Sequence, residues 1–143
     1  HITNGKDELC GPGWIHAYPH PLLAVLLNPI HGRFDLATMH LWECEGEVGK
    51  TDRGLKVGCT RLTTLRRMAL PDVTPAQRVR FAVLCALEVY DRREFAQWAQ
   101  GWLSGTNRSR AAATEAAAAS AGELDLVAIA ERSICEEPDG GAA

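Results

Sequence analysis

The chain has 143 residues, a formal net charge of −3 at pH 7 and 46% hydrophobic residues. A chain of this length can bury a hydrophobic core without disulfide bonds. Its mild acidic balance argues against nucleic acid or a membrane surface as a partner, and its longest apolar run, residues 21–27, is too short to span a bilayer. We expect one domain over residues 1–137 and a disordered tail over residues 138–143.

The five cysteines stand at wide spacings and include no CxxC motif. An odd number of widely spaced cysteines does not suit a disulfide framework, so the pattern favours a reducing compartment and a cytoplasmic location. The histidines and cysteines also lack zinc-ligand spacing, and we expect no metal and no other cofactor. The chain begins with His1 rather than Met, which leaves open either a processed chain or a missing N-terminal segment.

The first predicted elements are a strand and a short helix. Residues 14–18 alternate aromatic and aliphatic side chains, which is typical of a strand. Pro21 suits the first turn of a helix, and residues 22–27 predict a short buried helix that ends at Asn28-Pro29.

Residues 39–70 have the pattern of neighbouring strands. Residues 39–48 alternate as a half-buried strand does, and further strands are predicted at 55–59 and within 61–70. Short connections permit these strands to pair in antiparallel fashion. The N-terminal half, residues 1–70, is therefore expected to form a small antiparallel sheet with one short helix.

Pro71 marks a change to helical patterns. Thr74 can cap a helix, Pro75 fits its first position, and Gln77 can reach back to the N–H of the cap residue. We expect this helix to run to about Tyr90.

Further helices are predicted downstream, which gives three or four helices over residues 74–136 and an α+β fold overall. Residues 91–94 repeat the capping pattern, and Gly105 is a suitable helix end. Residues 108–120 are rich in alanine and predict a helix, and residues 124–134 predict a last amphipathic one. Between residues 95 and 103 the apolar side chains fall on one helical stripe, formed by Phe95, Trp98, Ala99, Trp102 and Leu103.

Motifs of nucleophilic catalysis and phosphate binding are missing from the sequence, which has no Gly-x-Ser-x-Gly, P-loop or Gly-x-Gly-x-x-Gly pattern. Glu43 and Glu45 share one strand face about 6.5–7 Å apart, a spacing that is of interest for acid–base catalysis by a pair of carboxylates. A solvated strand face has the same pattern, and we favour that interpretation. Cys59 fits a packed strand thiol better than a nucleophile. We therefore predict no catalytic residue.

A cluster of aromatic, histidine and asparagine residues carries the functional prediction. Such side chains suit a small planar or sugar-containing ligand, and an arginine can bind its phosphate through two hydrogen bonds. An alternative stays open, in which Trp14 and Trp42 belong to the core and the histidines have local partners. The predicted ligand-binding residues are Trp14, His16, Tyr18, Asn28, His31, Trp42 and Arg78.

Six sequence blocks carry a resemblance to known proteins. They are LLNPIH (26–31), LWE (41–43), GLKVG (54–58), QRVRFA (77–82), LCALEVY (84–90) and WLSG (102–105). These blocks resemble a group of small proteins from phages and uncultured microbes, in which an alanine-rich tail often follows the WLSG block. The resemblance implies a phage or mobile-element setting and no particular reaction.

A second, shorter pattern is a Gly-x-x-His segment (13–16), followed by a proline-started helix and then by a strand ending in Glu-x-Glu-Gly. This order is similar to phage proteins that sequester nucleotide immune signals, and to ADP-ribosyl-transfer folds.

These observations leave three functional hypotheses. The first is a non-enzymatic, homo-oligomeric protein that binds a nucleotide-like small molecule. The second is an enzyme of nucleotide or ADP-ribose chemistry, in which His16, His31 and Glu43 or Glu45 act as acid and base. The third is a structural or protein-interaction module, in which Trp98 and Trp102 form a helix interface.

Overall fold

The fold is α+β, as the sequence predicts. A computed structural model describes residues 1–106, 108 and 125–135, so the predicted tail and nearly all of the alanine-rich segment lie outside the described residues. The chain divides into two compact units, His1–Asp72 and Val73–Ala143. The first contains an antiparallel sheet and the second contains helices. The division follows Pro71 closely, where the sequence changes from strand to helix patterns.

The sheet of the first unit has three antiparallel strands, β1 (Ile15–Ala17), β2 (Leu41–Thr51) and β3 (Val57–Met68), in the order β1-β3-β2. β3 is one continuous strand of 12 residues, so the prediction of two separate strands here was wrong. Nearly all of its length pairs with β2, which keeps the backbone extended where the side-chain pattern alone suggests a break.

Three register shifts interrupt the pairing of β2 with β3, between Glu43 and Cys44, between Glu47 and Val48, and between Val48 and Lys50. Such bulges bend a strand pair and increase its twist. The bend explains why residues from opposite ends of this ribbon can line the same cavity, which is described below.

Two short helices connect β1 to β2. α1 spans Pro21–Leu26, with Pro21 in its first turn and with the His20 ring accepting a hydrogen bond from the Leu22 N–H at 3.3 Å. α1 ends just before Asn28-Pro29, as predicted, but Asn28 begins a further helical turn that was not predicted, α2 (Asn28–His31), with the proline at one of its first positions. The buried face of this region consists of Leu23, Ala24, Val25, Leu26, Leu27 and Asn28.

The second unit contains α3 (Pro75–Val89), α4 (Arg93–Leu103) and α5 (Leu126–Cys135). The predicted capping box at the start of α3 is confirmed, because Thr74 and Gln77 exchange both hydrogen bonds. The prediction of a second capping motif was wrong, since the cap residue of α4 is Arg92, whose side chain makes no cap hydrogen bond. Gly105 follows α4 at a φ of +80°, which glycine adopts readily.

The predicted apolar stripe of α4 forms one side of a core cluster with α3. Trp102 is buried, and Trp98 packs against the cluster, with its ring centroid 5.7 Å from that of Phe95. Both tryptophans of the interaction-module hypothesis are therefore engaged within their own unit. None of the helices in residues 1–106, 108 and 125–135 has the length and apolar character needed to cross a bilayer.

Cys85 lies on α3 in partly buried surroundings. Burial, and next the nearby Glu88 carboxylate, raise the pKa of its thiol to about 12, although Arg132 acts in the opposite direction. We expect Cys85 to stay unmodified when the folded protein meets iodoacetamide at pH 8, while the exposed thiol of Cys10 reacts. Peptide mass spectrometry after a short labelling pulse would check this. Equal labelling of both thiols would contradict it.

Candidate functional site

The first unit contains a cavity of about 640 Å³. Cavities that hold drug-sized ligands commonly measure about 300–1,000 Å³. Four residues predicted from the sequence to bind a ligand line this cavity, namely His16, Tyr18, Asn28 and His31. The remaining lining residues are Ala24, Gly32, Phe34, Met39, His40, Leu41 and Lys56.

The ribbon formed by β2 and β3 contributes lining residues to the cavity from both of its ends. Leu41 begins β2, whereas Lys56 immediately precedes β3 at the hairpin end, where Thr51 pairs with Val57. Both side chains nevertheless line the same space. α1 and α2 contribute Ala24, Asn28 and His31 from the connection between β1 and β2.

His16 reaches the cavity from the middle of β1, where it lies opposite Gly58 of β3. One ring nitrogen, Nε2, forms a hydrogen bond with the backbone carbonyl oxygen of Leu9. A carbonyl oxygen can only accept, so Nε2 donates this bond and carries a proton. The other ring nitrogen is left as an acceptor when the imidazole is neutral.

Tyr18 and His31 form a hydrogen-bonded pair of nearly parallel rings. Their centroids lie 6.0 Å apart with an interplanar angle of 13°, and Tyr18 Oη lies 2.9 Å from His31 Nδ1. Burial raises the pKa of the tyrosine hydroxyl, which therefore stays protonated and can donate to a neutral His31. This bond places the remaining imidazole proton on Nε2, so the pair offers planar surfaces together with a donor.

We expect the pKa of His31 to lie below the ordinary histidine value of 6.5. Burial is the largest cause, and the Lys56 charge adds to it; Asp52 opposes the shift, and His16 contributes a smaller lowering. NMR titration of the imidazole resonances measures this value, and a midpoint at or above 6.5 would contradict the expectation.

The same shift has a consequence for stability. Because the unfolded chain takes up a proton on His31 more readily than the folded chain, the stabilising contribution is complete well above pH 6.5 and is lost as pH falls through 6.5 towards the folded pKa. Denaturant unfolding at several pH values would measure the stability of the wild type and of His31→Gln. We expect the difference between their free energies of unfolding to shrink as pH falls. If the difference in free energy of unfolding stayed constant between pH 8 and pH 5, this contribution of His31 to stability would be contradicted.

Asn28 is buried, and its amide is committed to the loop that follows α2. Its Nδ2 donates to the carbonyl oxygen of Phe34 at 2.8 Å, and its Oδ1 accepts from the Phe34 N–H at 2.9 Å. The sequence suggests a hydrogen bond to a ligand, whereas these contacts show the amide holding Phe34 and the intervening loop in place. Asn28 therefore shapes the cavity wall through the backbone.

Lys56 is the one lysine or arginine among the described residues that line the cavity, and it was not predicted from the sequence. Its residue is 9% exposed, and Nζ lies 3.1 Å from Cys10 Sγ. In the sequence it stands in a short strand pattern next to Gly54 and Gly58, where lysine is an ordinary surface residue. Nothing local marks it as buried, because its burial depends on contacts with residues far away in the chain.

A smaller cavity of about 370 Å³ adjoins the first along the segment Met39–Leu41, which lines both. In this second cavity the Arg67 guanidinium donates to His40 Nδ1 at 3.0 Å. Met68 lines the smaller cavity and not the larger.

Trp14 and Trp42 do not line the larger cavity. The Trp14 indole lies over the backbone at Gly49 and Gly58, and its Nε1 donates to the Asp7 carbonyl oxygen at 3.2 Å. These contacts fit the alternative in which Trp14 packs locally, because the two glycines leave the space that the ring fills. Trp42 is 47% exposed on β2.

The other charged candidates also lie elsewhere. Arg78 belongs to α3 of the second unit. Glu43 forms an ion pair with Arg66 across the ribbon, and Glu45 lies opposite Thr63 on an exposed part of β2. Neither carboxylate lines the cavity, which leaves the acid–base arrangement of the enzyme hypothesis without its carboxylate there.

Among the described residues, no group of three or more His, Cys, Asp or Glu side chains is placed to hold a metal ion. The described cysteines Cys10, Cys44, Cys59 and Cys85 are free thiols. Comparison with known proteins found no matching family model, curated protein or solved structure.

Proposed function

We propose that the chain is a non-enzymatic binding protein that holds a nucleotide-like small molecule in the larger cavity. The observation that carries this proposal is the meeting of His16, Tyr18, Asn28 and His31 around one open space of about 640 Å³. These residues come from β1, the segment after it, and α2, so their meeting depends on the fold.

The chemistry of the walls supports a ligand with a planar ring. Tyr18 and His31 present stacked rings, Phe34 is 66% exposed at the cavity wall, and Met39 and Leu41 add apolar surface. Aromatic faces favour stacking on a base, and the histidine nitrogens offer hydrogen bonds to its edges or to a sugar. A binding role also accords with the resemblance to phage proteins that sequester nucleotide signals.

Isothermal titration against AMP, a cyclic dinucleotide and ADP-ribose would test this function. We expect at least one of them to bind, and Tyr18→Ala to weaken that binding at least tenfold through loss of a stacking surface. Trp42→Ala is the matched control, because it removes an aromatic side chain outside the cavity and should change the dissociation constant less than twofold. Absence of binding across the panel would overturn the proposal, as would turnover of a ligand by the wild type.

Self-association is a further part of the proposal. Trp42 and Leu65 expose 47% and 56% of their surface on the β2–β3 ribbon, and exposed apolar side chains can support association between copies. Sedimentation velocity would measure the oligomeric state. A monomer at all accessible concentrations would contradict the proposed self-association.

A further inference from the structure

Lys56 is a buried lysine without a negative partner among the described residues. The residue is 9% exposed, and within the described part of the chain its ammonium group has one hydrogen bond, from Nζ to the Cys10 thiol at 3.1 Å. No carboxylate in the described part of the chain lies within ion-pair distance of it. Lys50 behaves differently, since its side chain is 39% exposed and pairs with Glu8 at 3.2 Å.

An arrangement of this kind is costly for a protein that needs only stability. Burial of a charged group is unfavourable unless an opposite charge and hydrogen bonds compensate for it, and a thiol is a weak acceptor. An ammonium group has three donors, whereas Cys10 accounts for one of them. Lys56 therefore has unused capacity to bind an anion, on the wall of a cavity that can admit one.

No acidic side chain is among the described residues that line the cavity. The other described lining residues are neutral or histidine, so Lys56 brings a fixed positive charge to this wall. The effect reaches His31, because the Lys56 charge helps to lower the pKa of that imidazole. Asp52 acts on His31 in the opposite direction but is not among the lining residues.

We propose that Lys56 is the residue that recognises an anionic oxygen group, phosphate or carboxylate, on the ligand of this cavity, through the ammonium donors that the Cys10 thiol leaves free. The inference rests on the proposed function and narrows it to ligands that combine a ring with an oxyanion. An incoming oxyanion accepts hydrogen bonds from the remaining ammonium donors and supplies the missing opposite charge, and charge-assisted hydrogen bonds of this kind are short and strong.

His31 provides a readout that does not require the natural ligand. Neutralisation of Lys56 by a bound oxyanion removes one cause of the low His31 pKa, so the midpoint should rise in the presence of the anion. The experiment is an NMR titration of His31 in inorganic phosphate, in acetate, and in chloride at matched ionic strength. We expect phosphate or acetate to raise the midpoint beyond the chloride value, and the difference between these two arms identifies the preferred oxyanion.

Variants separate a specific effect from general screening. In Lys56→Met, which keeps the length of the side chain, the His31 midpoint should already be higher and should no longer respond to the oxyanion. Lys56→Arg should retain the response, which shows that charge is required. Arg67→Met is the matched control, because it removes a cation from the neighbouring cavity and should leave the response intact. A thermal melt of each variant confirms that it is folded.

Binding of AMP and adenosine distinguishes this inference from the proposed function. We expect Lys56→Met to weaken the binding of AMP at least tenfold and the binding of adenosine less than twofold. If nucleotides do not bind but phosphate or acetate still shifts His31 through Lys56, the proposed function fails and the inference stands. If the ligands bind equally well to Lys56→Met and neither oxyanion exceeds the chloride effect, the inference fails and the proposed function stands.

Discussion

Replacement of Leu23 by alanine is expected to lower the free energy of unfolding by about 2–5 kcal/mol. Leu23 is 0% exposed in α1, where four consecutive side chains from position 23 to position 26 are buried. The substitution removes one methine and two methyl groups from the core. It leaves a cavity that neighbouring side chains fill only in part. Denaturant unfolding measures the effect directly.

Leu22→Ala is the control for this prediction, because Leu22 lies on the same helix but is only half-buried. Its effect on the free energy of unfolding should be clearly smaller, since folding buries less apolar surface at that position. Equal losses in the two variants would show that α1 is not packed as described. Since α1 leads directly into α2, which carries Asn28 and His31, we also expect Leu23→Ala to weaken ligand binding.

Asn28→Ala is expected to lower the free energy of unfolding by about 2–3 kcal/mol, which is the second largest effect. The change removes both hydrogen bonds between the amide and the Phe34 backbone, at 2.8 and 2.9 Å, in a residue that is 5% exposed. The N–H and carbonyl groups of Phe34 lose their partners, and each such hydrogen bond contributes about 0.5–1.5 kcal/mol to stability.

Asn28→Asp gives a more specific test of the same contact. The carboxylate can still accept from the Phe34 N–H but cannot donate to the Phe34 carbonyl, so we expect this variant to be destabilised as well. Asn4→Ala is the matched control, since Asn4 accepts a single hydrogen bond from the Lys6 N–H at the surface. A loss at Asn28 no greater than that at Asn4 would contradict the role of the amide in holding the loop.

Local chemistry explains which parts of the fold are predictable from the sequence. The start of α3 depends on three neighbouring side chains, and the stripe of α4 depends on helical periodicity, so both are readable in short windows. The continuity of β3 depends on pairing with β2, whose residues are up to 27 positions away in the chain, as in the Leu41–Met68 pair. The sequence pattern therefore misplaces a break that long-range pairing removes.

The candidate site divides in the same way. His16, Tyr18, Asn28 and His31 lie within 16 consecutive positions, and their residue types already indicate a ligand. Lys56 is brought to them by the bent ribbon, whose register shifts have no clear mark in the sequence.

Occupation of the larger cavity by a ligand is the central claim, and the two methionines of the chain can test it. Met39 lines both cavities, whereas Met68 lines the smaller one only. In a spectrum of carbon-13 methyl-labelled methionine, we expect AMP or ADP-ribose to shift the Met39 signal saturably and more strongly than the Met68 signal. A Met39 signal that stays in place with every compound, or a shift confined to Met68, would contradict the claim.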